Sequence, residues 1–75
     1  MNSVKISKKW VNKGWVETKT FYSKAFHRRH NGELQMVIQT PSRTAWRAIR
    51  YDSLNAISEE TLHPTIVKSM MFLDN

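Results

Sequence analysis

The chain has 75 residues, of which 40% are hydrophobic and 11% aromatic, and this composition is typical of one small globular domain over residues 1–75. It contains no cysteine, which excludes disulfides and thiolate metal sites. The apolar run at residues 66–73 is far shorter than the roughly 20 residues that a membrane-spanning helix needs. These features favour a cytoplasmic protein without a membrane segment.

The net charge of +6 is unevenly distributed along the chain. Residues 1–50 contain 11 lysines and arginines against two glutamates, a net charge of +9, whereas residues 51–75 contain one lysine against four carboxylates, a net charge of −3. A basic body of this kind predicts a polyanionic partner, either a nucleic acid or an acidic protein surface.

Two glycine-containing turns bound the first predicted strands. Asn12-Lys13-Gly14 and His30-Asn31-Gly32 each suit a three-residue hairpin loop that ends in a left-handed glycine. We therefore predict an antiparallel meander with strands at residues 4–11, 15–28 and 33–40.

The loop length determines which residues share a face, since side chains alternate along a strand. Three-residue loops place Val11 opposite Trp15 and Arg29 opposite Glu33, whereas two-residue loops would scatter the apolar side chains over both faces. The predicted core face carries nine apolar side chains: Val4, Ile6, Trp10, Val16, Tyr22, Phe26, Leu34, Met36 and Ile38. The opposite face would present these residues: Lys5, Ser7, Lys9, Val11, Trp15, Lys19, Phe21, Ala25, His27, Arg29, Gln35, Val37 and Gln39.

Cations are interleaved with aromatic rings on this second face. Rings such as Trp15 and Phe21 suit base stacking, and the lysines between them suit phosphate, as in proteins that bind single-stranded nucleic acid. The same pattern also suits a solvated face whose rings are covered by the rest of the fold.

The segment that follows the third strand fits two folds. As a helix over residues 42–57, it would give an α+β protein in which Trp46 and Ile49 face a three-stranded meander. As strands, residues 41–44 form a turn, a strand runs to Tyr51, and a brief last strand follows.

One stretch of this segment, Arg47-Ala-Ile-Arg-Tyr-Asp-Ser-Leu-Asn-Ala-Ile57, resembles the closing segment of small SH3-like or Sm-like β-barrels. The similarity covers residues 45–66 and points to WYL domains and to the Rho-binding Rof proteins, which also have a His-Pro pair, as at His63-Pro64. It implies a mainly β fold, a five-stranded barrel with a short helical or extended C-terminal segment, and we favour this fold. It also implies these roles: Ile49, Tyr51, Leu54 and Ile57 in the core, and Arg47 and Arg50 as ligand contacts.

Two features follow the barrel segment. Residues 58–61 favour the start of a helix with acids in its first turn, and Pro64 would then break or restart the chain. The apolar residues between Ile66 and Leu73 suit a helical turn or terminal strand that covers one end of the core. They also suit a methionine-rich contact surface for a partner or a second copy.

The cluster His27-Arg28-Arg29-His30 does not suit a metal site, because strand residues three apart point to opposite faces and two arginines would repel a cation. Both glycines suit turns, so no phosphate-binding loop is indicated, and no Ser-His-Asp triad is evident. We expect no enzyme activity, no metal and no cofactor.

Two function hypotheses follow. The first is a non-catalytic regulatory protein that binds RNA or another single-stranded nucleic acid with low sequence specificity. Its candidate contacts are Lys5, Lys9, Trp15, Lys19, Phe21, His27, Arg28, Arg29, Arg47 and Arg50. The second is a small phage-type protein that inhibits a host toxin nuclease or transcription factor, with or without RNA, its basic charge steering it to an acidic surface.

Overall fold

The computed structural model describes residues 6–19 and 22–74, and these form one antiparallel sheet with helices on one side. The elements in chain order are α1 (Lys8–Asn12), β1 (Val16–Thr18), β2 (Ala25–His30), β3 (Glu33–Gln39), β4 (Trp46–Tyr51), β5 (Ile57–His63) and α2 (Ile66–Leu73). Each strand pairs with the next, and no pairing of β1 with β5 closes the sheet within the described residues. The mainly β fold with five strands and a short C-terminal helix is therefore confirmed, and the sheet is open.

The alternative of a helix over residues 42–57 is wrong. The predicted turn at residues 41–44 is present, and the Thr40 N–H donates to the Ala45 carbonyl across it at 2.9 Å. After β4, the Asp52 carboxylate accepts hydrogen bonds from the backbone N–H groups of two residues that follow it, which is typical of a tight turn. β5 then runs through residues 58–61, so the helix predicted to start there is also wrong.

The first glycine turn ends a helix instead of reversing a hairpin. The Gly14 N–H donates to the Val11 carbonyl at 3.0 Å and the Trp15 N–H donates to the Trp10 carbonyl at 3.3 Å, which is the Schellman pattern of a helix C-terminus. Gly14 has a φ of 97°, a value that favours glycine. The predicted strand at residues 4–11 is therefore wrong where the structure describes it, from residue 6 onward.

The strand predicted at residues 15–28 is divided in two. β1 and β2 pair with each other antiparallel, Val16 opposite His27, so the chain reverses between them. Residues 20 and 21 of this connection lie outside the described residues, and Tyr22, which the sequence placed in the core, is 90% exposed.

A two-residue turn joins β2 to β3. Asn31 has a φ of 53° and Gly32 a φ of 78°, and positive φ at both positions is what a type I′ hairpin turn requires. His30 therefore pairs with Glu33, and the predicted pairing of Arg29 with Glu33 is wrong by one residue. This difference moves every side chain of β3 to the face opposite to the predicted one.

The covered face of the sheet packs against α2 and against Trp10 of α1. The core there consists of eight buried residues: Trp10, Trp15, Phe26, Val37, Trp46, Ala48, Met70 and Leu73. Met70 and Leu73 are fully buried, which confirms that the C-terminal segment covers the core. No helix in the described part of the chain has the length and apolar character needed to cross a membrane.

Several predicted core residues lie outside this core. Leu54 and Ile57 are 86% and 54% exposed, because one lies in the turn after β4 and the other begins an edge strand. Val16 is 57% exposed on β1. Ile49 is buried and Tyr51 half-buried, but both lie on the other face of the sheet.

Candidate nucleic-acid interface

The second face of the sheet, which we call the open face, has no helix of the described chain packed on it. Strand pairing gives its members, with His27 opposite Met36, Met36 opposite Ile49 and Ile38 opposite Arg47. The whole set is Val16, Thr18, Ala25, His27, Arg29, Leu34, Met36, Ile38, Arg47, Ile49, Tyr51, Glu60 and Leu62. The face thus has an apolar strip along β3 with cations of β2 and β4 on either side.

The cations of the open face are accessible. Arg29 is exposed. The Arg47 side chain is 46% exposed, and its Nη1 lies 3.4 Å from Oε2 of Glu60. An exposed pair of this kind contributes at most about 1 kcal/mol, so Arg47 can exchange Glu60 for another anion. His27 is half-buried, and its Nδ1 contacts the Thr18 hydroxyl.

The antiparallel strand order also distributes the charged residues unequally between the two ends of the sheet. Residues 19 and 22–24 of the first loop and residues 40–45 of the second lie at the same end of the sheet, because β1 ends where β2 begins and β3 ends where β4 begins. We call this the basic end, since its two loops carry Lys19, Lys24 and Arg43 and contain no carboxylate.

Carboxylates gather at the opposite end of the sheet. Glu33 begins β3, Asp52 follows β4 and Asp74 follows α2. Glu33 Oε1 lies 2.8 Å from Nη1 of Arg50, and Asp74 Oδ1 lies 3.1 Å from Nη2 of Arg28. Most charge at this end is therefore neutralised within the protein, whereas the loops of the basic end contain no acidic partner.

Arg28 belongs to the interior. Only 1% of it is exposed, and its Nε donates to Gln35 Oε1 at 2.8 Å while its Nη2 donates to the Leu73 carbonyl at 3.3 Å. Its guanidinium carbon lies 4.7 Å from the ring centroid of Trp15, which is itself only 2% exposed. The predictions that Arg28 contacts ligand and that Trp15 stacks bases are therefore wrong, because both side chains pack under the covered face.

Arg50 is engaged in a similar way. Its Nε donates to Glu59 Oε1 at 2.9 Å, and its Nη2 donates to the carbonyls of Phe72 and Leu73 at 3.4 and 3.5 Å. Arg28, Gln35 and Arg50 together bind the carbonyl end of α2, as the Gln35 amide also donates to Leu73 at 3.3 Å. Arg50 therefore holds α2 on the sheet, and its role as a ligand contact stays a prediction.

These contacts lower the pKa of two carboxyl groups. Hydrogen bonds from Gln35 and then from Arg50 hold the pKa of Glu33 below its ordinary value, although partial burial opposes them. Hydrogen bonds from Lys13 and then from Arg28 do the same to the pKa of Asp74. Both carboxylates are therefore ionised at neutral pH and stabilise the end of the sheet opposite the basic end.

The other predicted contacts are dispersed. Lys9 lies on α1 with its Nζ 4.9 Å from the ring centroid of Trp10, and α1 ends where Lys13 contacts Asp74, away from the basic end. Lys5 and Phe21 lie outside the described residues. The structure brings four predicted contacts together on the open face and the basic end: Lys19, His27, Arg29 and Arg47.

Sequence reasoning missed three residues of this region. Arg43 and Lys24 lie in the loops of the basic end, and Tyr51 lies on the open face with its hydroxyl 3.9 Å from the Met36 sulfur. The turn that contains Arg43 was correctly predicted. A meander places alternate loops at the same end of its sheet. Comparing the charges of those loops would have identified Arg43 as a candidate contact.

Two hollows flank Arg47. The larger, of about 420 Å³, is lined by Arg47, Glu60, Thr61 and Leu62. The smaller, of about 180 Å³, is lined by Ser23, Ile38, Gln39, Pro41 and Arg47. Arg47 therefore lies between two concave parts of the molecular surface.

No cluster of three or more metal-ligating side chains occurs among the described residues, and His27 and His30 point to opposite faces of β2, as the alternation predicts. The arrangement offers cations and apolar surface for binding. In comparisons with known proteins, the chain matches no family model, and no curated protein or solved structure is significantly similar to it, so the resemblance to SH3-like barrels stays a prediction.

Proposed function

We propose that this protein is a non-catalytic regulatory module of the cytoplasm that binds single-stranded nucleic acid, in the first place RNA, across the open face of its sheet towards the basic end. The observation that supports it is the separation of charge. Carboxylates pair with Arg28 and Arg50 at one end, and the loops of the basic end carry lysines and an arginine without any carboxylate.

In this proposal the cations bind phosphates and the apolar strip receives bases. Lys19, Arg29, Arg43 and Arg47 neutralise the backbone, since guanidinium and ammonium groups bind phosphate well. Bases lie against Tyr51 and its apolar neighbours of the open face, in place of the stacking predicted for Trp15. Contacts to phosphates carry no sequence information, so most of the strand is bound with low sequence specificity.

The test is a fluorescence-polarisation titration with a labelled 12-nucleotide single-stranded RNA at 50 mM and 200 mM salt. We expect binding at low salt and about 50-fold weaker binding at high salt, because four phosphate contacts to a single strand release counterions. Duplex RNA of the same length is the comparison, and it should bind more weakly because its bases cannot reach the apolar strip.

A matched pair of double variants locates the interface. Lys19→Ala with Arg43→Ala removes two cations of the basic end, and Lys8→Ala with Lys9→Ala removes two cations of α1. The first pair should weaken binding about tenfold and the second less than about twofold. Equal effects, or no binding of single-stranded RNA at 50 mM salt, would contradict the proposal.

A second candidate function is favoured by a different feature, the apolar residues at the β5 edge of the sheet. Leu62 is 63% exposed and Ile57 54%, and Leu54 in the preceding turn is 86% exposed. Exposed apolar clusters and unpaired strand edges are typical of protein contacts. The candidate is a small phage-type protein that inhibits a host nuclease or transcription factor. A Leu54→Ser variant should lose that partner in a pull-down performed after nuclease treatment, and it should keep RNA affinity because Leu54 lies in a turn outside the open face.

A further inference from the structure

His27 presents an oriented imidazole ring to the open face of the sheet. It lies on β2 opposite Val16 of β1 and Met36 of β3, so it has an apolar neighbour on either side. Its Nδ1 contacts the hydroxyl of Thr18, which belongs to the same face. This contact fixes the ring, because a hydrogen bond at one ring nitrogen determines the tautomer and therefore the role of the other nitrogen.

The other ring nitrogen, Nε2, is accessible to a ligand. His27 is half-buried, and no group of the described residues binds Nε2. Over residues 6–19 and 22–74, the only buried side-chain nitrogen or oxygen without a hydrogen-bond partner is Nε1 of Trp15, so Nε2 of His27 is open to solvent. The open face therefore offers an available polar atom between apolar side chains.

The neighbours of His27 place it where the sugar of a bound strand would lie. Side chains two apart on a strand are separated by about 7 Å, and side chains opposite each other on paired strands by about 5 Å. Arg29, which the proposed function assigns to phosphate, is two residues from His27, and Met36 of the apolar strip is directly opposite it. A nucleotide with its phosphate on Arg29 and its base on the strip therefore has its sugar beside His27.

A ribose 2′-hydroxyl suits Nε2 in either tautomer of the ring. If Nδ1 accepts a hydrogen bond from Thr18, Nε2 carries the proton and donates, whereas if Nδ1 donates, Nε2 accepts. The 2′-hydroxyl both donates and accepts, so it binds Nε2 in both cases, and it is the group by which a protein distinguishes RNA from DNA. Deoxyribose has only hydrogens on that carbon and makes neither bond.

We propose that His27 binds a ribose 2′-hydroxyl and gives the open face a preference for RNA over single-stranded DNA, with Thr18 positioning its ring. The inference rests on the proposed function and names the contact that selects the class of nucleic acid. Arg29 and Arg47 cannot make this selection, because the phosphates they bind are common to RNA and DNA.

The experiment compares labelled 12-nucleotide oligouridylate with oligodeoxyuridylate, which has the same bases without the 2′-hydroxyl, by fluorescence polarisation at 50 mM salt. The wild type should bind oligouridylate about fivefold more tightly, the size of effect expected of one hydrogen bond between uncharged groups. A 2′-fluoro-oligouridylate keeps the sugar conformation of RNA but forms almost no hydrogen bond at that position. It should bind as weakly as the deoxyribose strand.

Variants separate His27 from its neighbours. His27→Ala should reduce oligouridylate affinity to that of oligodeoxyuridylate and leave the latter unchanged. Thr18→Val should reduce the preference for ribose, and Thr18→Ser, which keeps the hydroxyl, should retain it. Arg29→Ala should weaken binding of both strands equally. His30→Ala, which removes a histidine from the opposite face of β2, is the control and should leave the preference unchanged.

The comparison of the three strands with the wild type decides the proposal even if a variant does not fold, which circular dichroism would show. Equal affinity for the ribose and deoxyribose strands, or binding of the 2′-fluoro strand as tight as that of oligouridylate, would overturn the 2′-hydroxyl contact and leave the proposed function standing. An unchanged preference in folded His27→Ala would do the same. Failure of all three strands to bind would overturn the proposed function and the contact together.

Discussion

Arg28 and Arg29 are adjacent in the chain and lie in opposite environments. Arg28 is 1% exposed and binds Gln35, Asp74 and the carbonyl end of α2, while Arg29 is exposed on the open face. A buried cation is tolerated only when its donors are satisfied, and here the acceptors come from three separate segments of the chain: the Lys13 carbonyl, the Gln35 side chain and residues 73–74. The two arginines therefore have different roles, one structural and one available for binding.

Arg28→Ala should lower the free energy of unfolding by about 3 kcal/mol, because it leaves buried acceptors and a carboxylate without their partner. Arg29→Ala removes the same charge one residue away and should change stability by less than about 0.5 kcal/mol. Urea unfolding followed by circular dichroism measures both. Equal losses for the two variants would show that the Arg28 contacts do not stabilise the fold.

Acid should destabilise the protein through Glu33 and Asp74. Each has a folded-state pKa below its ordinary value of 4.5 or 3.8, so each stabilises the fold at neutral pH, and this stabilisation is lost as the pH falls from that ordinary value through the lower folded-state pKa. Urea unfolding at pH 6 and pH 3 should give a lower free energy of unfolding at pH 3. The double variant Glu33→Gln with Asp74→Asn should show a smaller difference between the two pH values, and an unchanged difference would contradict this account.

At the scale of elements, the two glycine turns show that one local signal serves different structures. Gly14 ends α1 in a Schellman motif, whereas Gly32 forms a two-residue hairpin with Asn31. Both require positive φ, so glycine is favoured in each. The sequence predicts a reversal of the chain at either position but does not say which kind, because the preceding residues suit both a helical turn and a strand.

The N-termini of the two helices differ in side-chain capping, so the same kind of substitution should affect stability differently at each. The Thr65 hydroxyl accepts a hydrogen bond from the Lys68 N–H at 3.1 Å, whereas the Ser7 side chain makes no such bond at the start of α1. Thr65→Ala should therefore lower the free energy of unfolding by about 1 kcal/mol and Ser7→Ala by only a few tenths. Thermal unfolding of the two variants checks this, and a larger effect at Ser7 would contradict the assigned caps.

At the scale of the whole molecule, the meander gives the two ends of the sheet different charges. Carboxylates lie at one end, and the loops at the other end carry cations and no carboxylate. Arg28 and Arg50 form ion pairs with carboxylates and donate hydrogen bonds to the carbonyl end of α2. The total number of lysines and arginines therefore overstates the number of cations that are available to a partner. Lys19, Arg43 and Arg47 lie towards the basic end, whose loops contain no carboxylate, whereas Arg29 lies on the open face near the opposite end.

This distribution predicts the salt dependence of RNA binding. Four phosphate contacts, from Lys19, Arg29, Arg43 and Arg47, should give a slope of about −3 in a plot of log affinity against log salt concentration. Each alanine substitution among them should reduce the slope by about 0.7, and Lys8→Ala should leave it unchanged. A slope near zero would show that phosphate contacts do not drive binding.

Sequence reasoning recovered those features of this protein that depend on local chemistry. The strands β3 and β4, the turn at residues 41–44 and the helical option for the last segment follow from turn residues and apolar patterns over a few positions. It did not recover which side chains face inward. The loop between β2 and β3 is one residue shorter than predicted, so the side chains of β3 lie on the face opposite to the predicted one. Trp15 lies in the core because it follows the end of a helix where a hairpin was predicted.

The tertiary structure alone decided which cations are free to bind. Arg28 lies inside because it donates to the carbonyl of Leu73, 45 residues further along the chain. Arg43 and Lys19 lie at one end because strand order brings their loops together. Propensities act over a turn of helix or a few strand residues, whereas burial and charge pairing depend on contacts between segments that are distant in sequence, and only the folded chain specifies those contacts.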